Sequence, residues 1–175
     1  MAIRAGQSDA EQRLIDLVYI ELRQMAAKQV NEEAKEGSLS PTALVSEAYV
    51  RLLGRDGKLS FENRRHFFGA AARAMQRIRV DRARGRLRKK RGGDWQRQQL
   101  SDMALALEDA KVIEVNEVLE EFAKHYPAET EIVRLRYFAG ESFHKIAEIM
   151  GLQEEQVVQQ WNFAYAWIRK AIFDK

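Results

Sequence analysis

The apolar residues of this chain recur mainly three and four positions apart, the spacing that places them on one face of an α-helix. The first such series comprises Leu14, Val18, Leu22, Met25 and Ala26. It predicts a helix that is capped by Ser8 and extends to about Gln29. Farther along, Ser40 and Pro41 predict the start of a second helix, because a small polar cap followed by proline is typical of a first turn. That helix is expected to end at Gly54.

A third and longer helix is predicted from Arg64 to about Arg88. Its apolar positions are Phe67, Phe68, Ala71, Met75, Ile78 and Ala83. Gly92 and Gly93 break the pattern after it. Since the long windows show helical spacing without the alternation of strands, and the chain has only two prolines, the expected fold class is all-α.

The pattern weakens between residues 94 and 110, which we interpret as a linker with a short helical piece at its end. Apolar spacing resumes beyond it, and Pro127 predicts the start of a further helix. We therefore expect two small helical domains, at 8–93 and 111–175, joined by the linker 94–110.

The sharpest local signal lies near the C-terminus. Ser142 is expected to cap a short helix, Gly151 and Leu152 to form a turn, and a longer helix to follow with Val157 on its inner face. This is the pattern of a helix-turn-helix, whose second helix can enter the major groove of DNA. The exposed polar residues expected there are Gln153, Glu154, Glu155, Gln156, Gln159 and Gln160. The spacing alone also fits a plain helical hairpin in which Gly151 is only a cap.

Charge separates the two parts of the chain. Residues 64–91 contain twelve Lys or Arg and one acid, Asp81, whereas the whole chain has a formal net charge of +3. A positive helix that keeps an apolar face indicates a polyanionic partner, most often nucleic acid. Residues 108–175 contain thirteen acids and eight bases, so the predicted helix-turn-helix has no general attraction for DNA. The basic helix is therefore expected to supply the main electrostatic hold.

Several functional classes fit this sequence poorly. The chain has no Cys and only three scattered His, so we expect neither a disulfide nor a metal site. It has no Gly-rich phosphate loop and no nucleophile elbow, so we expect no cofactor and no enzymatic activity. No run approaches the roughly 20 apolar residues that span a bilayer. We therefore expect a cytoplasmic protein without a membrane partner.

Three segments, taken in order, resemble the extracytoplasmic-function (ECF) type of the sigma-70 family of RNA polymerase sigma factors. They are PTALVSEAYVRLLG at 41–54, HFFGAAARAMQRIRVDRARGRLRKKRGG at 66–93 and FHKIAEIMGLQEEQVVQQWNFAYAWIRKAI at 143–172. The resemblance covers nearly the whole chain and implies sigma region 2 in the first domain and region 4 in the second. It implies core RNA polymerase and promoter DNA as partners, and leaves open whether an anti-sigma factor is a third.

The resemblance also implies roles for particular residues. In this family the helix at 41–54 docks on the polymerase clamp, so the candidate polymerase-binding residues are Thr42, Leu44, Glu47 and Arg51. The loop and basic helix that follow melt the promoter and capture the unpaired minus-ten strand. The candidate residues for that contact are Asn63, Arg64, Arg65, His66, Arg77, Arg79 and Arg82. The helix-turn-helix is expected to read the minus-thirty-five element.

Two features depart from the family pattern. Val158 stands where a basic residue is common, and two Glu begin the recognition helix, which weakens the expected minus-thirty-five contacts. Ahead of Leu44, typical members have acids that pair with basic clamp residues, whereas this chain has SPTA at 40–43. An acid-poor clamp helix is expected to bind core polymerase poorly.

Phosphorylation offers a remedy for the missing charge. A phosphate adds about −1.5 to −2 charge, and a helix N-terminus favours an anion. We hypothesise that a Ser/Thr kinase activates the protein at Thr42, with Ser40 or Ser38 as substitutes, an arrangement that resembles a kinase-linked subgroup of the family. Two alternatives stay open. Ser40 and Thr42 only cap the helix, or the chain is a non-initiating regulatory protein on a sigma scaffold that binds polymerase or another factor.

Overall fold

The computed structural model describes the backbone of residues 2–31, 40–92 and 100–174, and the side chains of 9–29, 40–88 and 107–174. Every regular element in these ranges is helical, which confirms the all-α fold class. The helices are α1 Ala2–Asn31, α2 Pro41–Leu52, α3 Arg64–Gly92, α4 Leu100–Ala123, α5 Pro127–Val133, α6 Phe143–Met150 and α7 Glu154–Phe173. A π-helical turn, Arg134–Phe138, continues α5.

Local capping chemistry sets several helix boundaries. Ser40 Oγ accepts a hydrogen bond from the backbone N–H of Ala43 at 3.2 Å, which satisfies one unpaired amide at the start of α2. Ser142 Oγ does the same for Lys145 at 3.1 Å at the start of α6. Gly151 ends α6 at φ 68°, a left-handed conformation that glycine adopts without strain. These predicted boundaries are confirmed.

Other boundaries differ from the prediction. The helix α1 begins at Ala2, so Ser8 lies inside it and is not its cap. The helix α4 begins at Leu100, so residues 100–110 are all helical, whereas only a short helical piece was expected at the end of the linker 94–110. Near its end, the carboxylate of Asp109, 2% exposed, accepts two hydrogen bonds from Arg86 of α3, a contact that apolar spacing does not indicate. Position 109 therefore faces the protein interior although its side chain is charged.

The helix α3 packs against helices from both ends of the chain. We call α1–α3 the N-terminal half and α4–α7 the C-terminal half. One core cluster joins α1, α2 and the first part of α3 to residues of α5, the π-helical turn, α6 and α7. A second cluster joins Val80 and Ala83 of α3 to α4 and α7. The division into domains at 94–110 stays a prediction, since both clusters contain residues of both halves.

Among the described residues, no helix combines the length and the apolar character that crossing a bilayer requires.

Candidate nucleic-acid interface

The basic helix α3 is amphipathic in an unusual way, because arginine occupies nearly every position that apolar residues leave. All six predicted apolar positions are buried, with Met75 and Ile78 fully so. On the opposite face, the exposed side chains of His66, Arg73, Arg77, Arg84 and Arg88 follow one another at spacings of seven, four, seven and four residues. This spacing keeps them on one stripe of the helix.

We call Arg73, Arg77, Arg84 and Arg88 the exposed arginine row. These four form no ion pair within the described part of the chain. Only Arg77 of the row was predicted to bind DNA. Arg73, Arg84 and Arg88 were not among the predicted residues, although their helical spacing from Arg77 could be read from the sequence.

The first predicted minus-ten residues lie in the turn that starts α3. The side-chain oxygen of Asn63 accepts a hydrogen bond from the backbone N–H of His66 at 2.9 Å. A second hydrogen bond runs from the backbone N–H of Glu62 to Nδ1 of His66 at 3.2 Å. Arg64 is exposed, and its guanidinium lies 5.5 Å from the centre of the Phe68 ring. Asn63 and His66 therefore shape the turn, while their outer edges remain open to solvent.

Three of the predicted DNA-binding arginines are engaged inside the protein. Arg65 forms two hydrogen bonds with Glu131, at 2.7 and 3.3 Å. Arg79 donates to the backbone oxygen of Tyr137 at 3.0 Å. Arg82 donates to Glu47 Oε2 at 2.9 Å. The structure thus separates the basic residues into an exposed row and a set that faces other helices.

The electrostatics of the interface reflect this crowding of arginines. Burial lowers the pKa of Arg134 in the π-helical turn, nearby Glu120 opposes that effect, and the positive charges of Arg73 and Arg77 lower the pKa further. Its guanidinium donates to Gln76 Oε1 at 2.8 Å. For Arg65, the hydrogen bond with Glu131 raises the pKa above its ordinary value, and burial opposes the rise.

The predicted polymerase-binding residues of α2 do not share one surface. Thr42 is exposed at the second helical position, whereas Leu44 is 2% exposed and belongs to the core. Leu44 therefore cannot contact a partner in this conformation, because its position faces α1 and α3. Glu47 and Arg51 form an ion pair with each other at 3.2 Å. Arg51 also pairs with Asp81 of α3 at 3.0 Å.

The outward face of α2 contains two residues that were not predicted. Ser46 and Val50 follow Thr42 at intervals of four, and all three are exposed. Val50 is 65% exposed, which is high for a valine. The same spacing argument that found the buried face could have found this outer one.

The helix-turn-helix has the predicted helices and turn. Five of its six candidate residues are exposed, and Gln160 is partly buried. Two of them stabilise the start of α7, since the backbone N–H of Gln153 donates to Gln156 Oε1 at 2.9 Å. Glu154 Oε2 lies 3.3 Å from Nδ1 of His144. Gln159 is exposed and takes no part in this capping, so its amide group suits contact with a base edge.

The all-α fold, the helix-turn-helix and the exposed arginine row are typical of DNA-binding transcription proteins. A family model described as ECF sigma factor matches residues 1–174. The chain therefore belongs to the ECF sigma factor family, which supports a sigma factor role in transcription initiation. Membership implies RNA polymerase and promoter DNA as partners, and often an anti-sigma factor. Family members are generally DNA-binding regulators without enzymatic activity. The chain matches no curated protein and no solved structure.

Proposed function

We propose that this sigma factor docks on core RNA polymerase through the outward face of α2 and holds melted promoter DNA with α3. The observation that supports this most directly is the exposed arginine row. Arg88 lies fifteen positions after Arg73, so the row extends along about 22 Å of helix at 1.5 Å per residue. That length accommodates several phosphates of an extended strand.

Binding of this kind needs no catalytic chemistry. Guanidinium groups neutralise phosphates and release counterions, so the affinity depends steeply on salt. Energy for melting comes from capture of unpaired bases by the turn that contains Asn63 and His66, where aromatic Phe61 is close to the imidazole ring. Nucleotide hydrolysis has no part in the proposal.

The helix-turn-helix is proposed to read the minus-thirty-five element through amide side chains. Gln159 suits bidentate contact with adenine. Glu154 and Glu155 in the first turn repel the phosphate backbone, and Val158 supplies no cation. This helix is therefore expected to bind DNA only after polymerase has placed it beside the promoter.

We further propose that phosphorylation at Thr42 strengthens docking on polymerase. The side chain of Thr42 is exposed in the first turn of α2, a turn without any acid. The hydroxyl of Ser40 already caps Ala43, which makes Ser40 the poorer substrate. Ser38 lies outside the described residues. A phosphate on Thr42 would provide the missing negative charge at a helix end that favours it.

A second candidate function is a non-initiating regulator that binds polymerase or another factor. It is favoured by Glu47, the one acid of α2, because Arg51 and Arg82 both pair with this carboxylate inside the protein. With Glu47 engaged, unmodified α2 presents no free acid to a basic clamp.

The test compares core-polymerase binding by wild type, Thr42→Ala and Thr42→Glu. Thr42→Glu should bind at least about fivefold more tightly than the other two, since one added charge near a cationic surface contributes roughly 1 kcal/mol. Ser46→Glu is the matched control, because it adds the same charge one turn away on the same face. Identical affinity for all four proteins would contradict the switch. Transcription with core polymerase then separates the two candidate functions. Promoter-specific transcripts indicate a sigma factor, and their absence indicates the non-initiating regulator.

A further inference from the structure

A cavity of about 700 Å³ lies among α4, the π-helical turn and the part of α7 that follows Trp161. Small-molecule sites usually measure roughly 300 to 1000 Å³, so its size suits a ligand of that class. Val133 and Ile168, 3% and 8% exposed, form its inner wall. The residues that line this cavity take no part in the proposed contacts with DNA or polymerase.

Aromatic rings form much of the remaining wall. The rings of Trp161 and Tyr165 stack, with their centres 6.2 Å apart and their planes inclined by 25°. Tyr165 is 54% exposed and Phe173 is 77% exposed, which is high for side chains with so much apolar surface. Aromatic rings prefer other rings in offset or edge contact. The wall therefore favours a ligand that is itself aromatic.

Charged side chains stand at the mouth of the cavity. Lys111 of α4 and Arg169 of α7 are exposed there, and neither forms an ion pair within the described part of the chain. The Arg169 guanidinium lies 5.8 Å from the centre of the Phe173 ring, which keeps this cation beside the aromatic wall. Glu114, partly buried, offsets one of the two positive charges. The lining thus has a net charge of +1, which complements a single negative charge.

We propose that this cavity binds an aromatic compound with one negative charge, such as an aromatic carboxylate or sulfonate. The ring of the ligand stacks on Trp161 and Tyr165. Its anionic group lies at the mouth and accepts charge-assisted hydrogen bonds from Lys111 and Arg169. The site lies apart from α2 and from the exposed arginine row, so the inference does not rest on the proposed function.

Two fluorescent probes of related shape test the assignment. Anilinonaphthalene sulfonate is an aromatic monoanion, and phenylnaphthylamine has the same rings without the sulfonate. The emission of both rises in apolar surroundings, so titration of the full chain gives a Kd for each. Each variant below is compared with wild type for the same probe, because the two probes differ in their own solubility.

Removal of the two cations tests the charge at the mouth. The combined variant Lys111→Gln and Arg169→Gln should bind the sulfonate about fivefold more weakly, since ion pairs at an exposed rim contribute modestly. Its affinity for the uncharged probe should not change. The matched control, Lys124→Gln with Lys170→Gln, removes two charges from exposed positions that do not line this cavity and should change neither affinity. Equal effects of the two variants on the sulfonate, including no effect, would overturn the proposal.

Filling the cavity tests where the probes bind. Val115 lines the cavity and is partly exposed, so Val115→Trp adds a ring there and should weaken binding of both probes about tenfold by excluding them. Ala110→Trp is the control, because it adds the same ring to an exposed position of α4 outside the cavity. Circular dichroism checks that both variants stay helical. If helical Val115→Trp binds both probes as wild type does, the probes bind elsewhere and the proposal fails. If Val115→Trp does not fold, the charge variants alone decide, because their side chains are exposed.

A second copy of the chain is the alternative occupant of this aromatic surface. Sedimentation equilibrium measures the mass of the free protein, and probe titrations at several protein concentrations measure competition by self-association. The proposal predicts a Kd for the sulfonate that does not depend on protein concentration. A dimer whose formation weakens probe binding, with the dependence lost in Val115→Trp, would assign the cavity to a second copy and overturn the proposal.

Discussion

The helices α3 and α7 both face DNA in the proposed function, but they are built from opposite chemistry. The exposed side of α3 presents arginines, and the first turn of α7 presents Glu154 and Glu155. A cationic row holds any polyanion, whereas amides such as Gln159 distinguish bases but contribute little long-range attraction. The difference suggests that this protein separates holding DNA from reading it.

The largest expected effect comes from removing the holding surface. Replacing Arg73, Arg77 and Arg84 together with Gln should lower affinity for single-stranded DNA about 100-fold at low salt and reduce the salt slope by about two. Anisotropy titrations across a salt series measure both. The control replaces Arg13 and Arg23, two exposed cations of α1, with Gln and should change the DNA affinity little. An equal loss in the control would mean that charge alone, and not its place on α3, matters.

A gain of function at α7 sharpens the comparison. Val158→Arg places a cation in the recognition helix and should raise affinity for double-stranded DNA several-fold, with a salt slope steeper by about one. The control is Ala166→Arg, which adds the same charge near the far end of α7. If Val158→Arg leaves both the affinity and the slope unchanged, then the start of α7 does not approach DNA.

The smallest expected effect concerns the serine caps at the starts of α2 and α6. Ser142→Ala and Ser40→Ala each remove one hydrogen bond to an unpaired amide and should destabilise the protein by about 1 kcal/mol. Urea unfolding measures the free-energy change, and Ser→Gly at the same positions should cost less. If Ser→Ala destabilises the protein much less than Ser→Gly does, the hydroxyls are not the caps.

Local features of the fold were predictable because their causes are local. The caps Ser40 and Ser142, the turn at Gly151 and the buried face of α3 all follow from residues within a few positions of each other. The long-range contacts were not predictable in this way. Arg65 and Glu131 are 66 positions apart, and nothing in either neighbourhood indicates that they meet.

The same reasoning explains why some predicted site residues contact other parts of the protein. Leu44 fits the family's docking segment, but its position on α2 points toward the core, which only the packing of α1 and α3 decides. Arg65 and Arg79 were predicted to bind DNA, whereas in the structure they form hydrogen bonds with Glu131 and with the backbone oxygen of Tyr137. The charge of a residue indicates which groups it can bind, but the sequence does not show whether an internal residue or an external ligand lies closer to it.

The central claim is that this chain directs polymerase to promoters by holding DNA on α3. The most direct test is transcription of fragmented genomic DNA by core polymerase with wild type, Thr42→Glu and Thr42→Glu combined with the triple arginine variant, followed by sequencing of transcript 5′ ends. The account predicts 5′ ends clustered downstream of a shared motif for Thr42→Glu, weaker clusters for wild type and none for the combined variant. The same scattered 5′ ends with all three proteins as with core polymerase alone would contradict it.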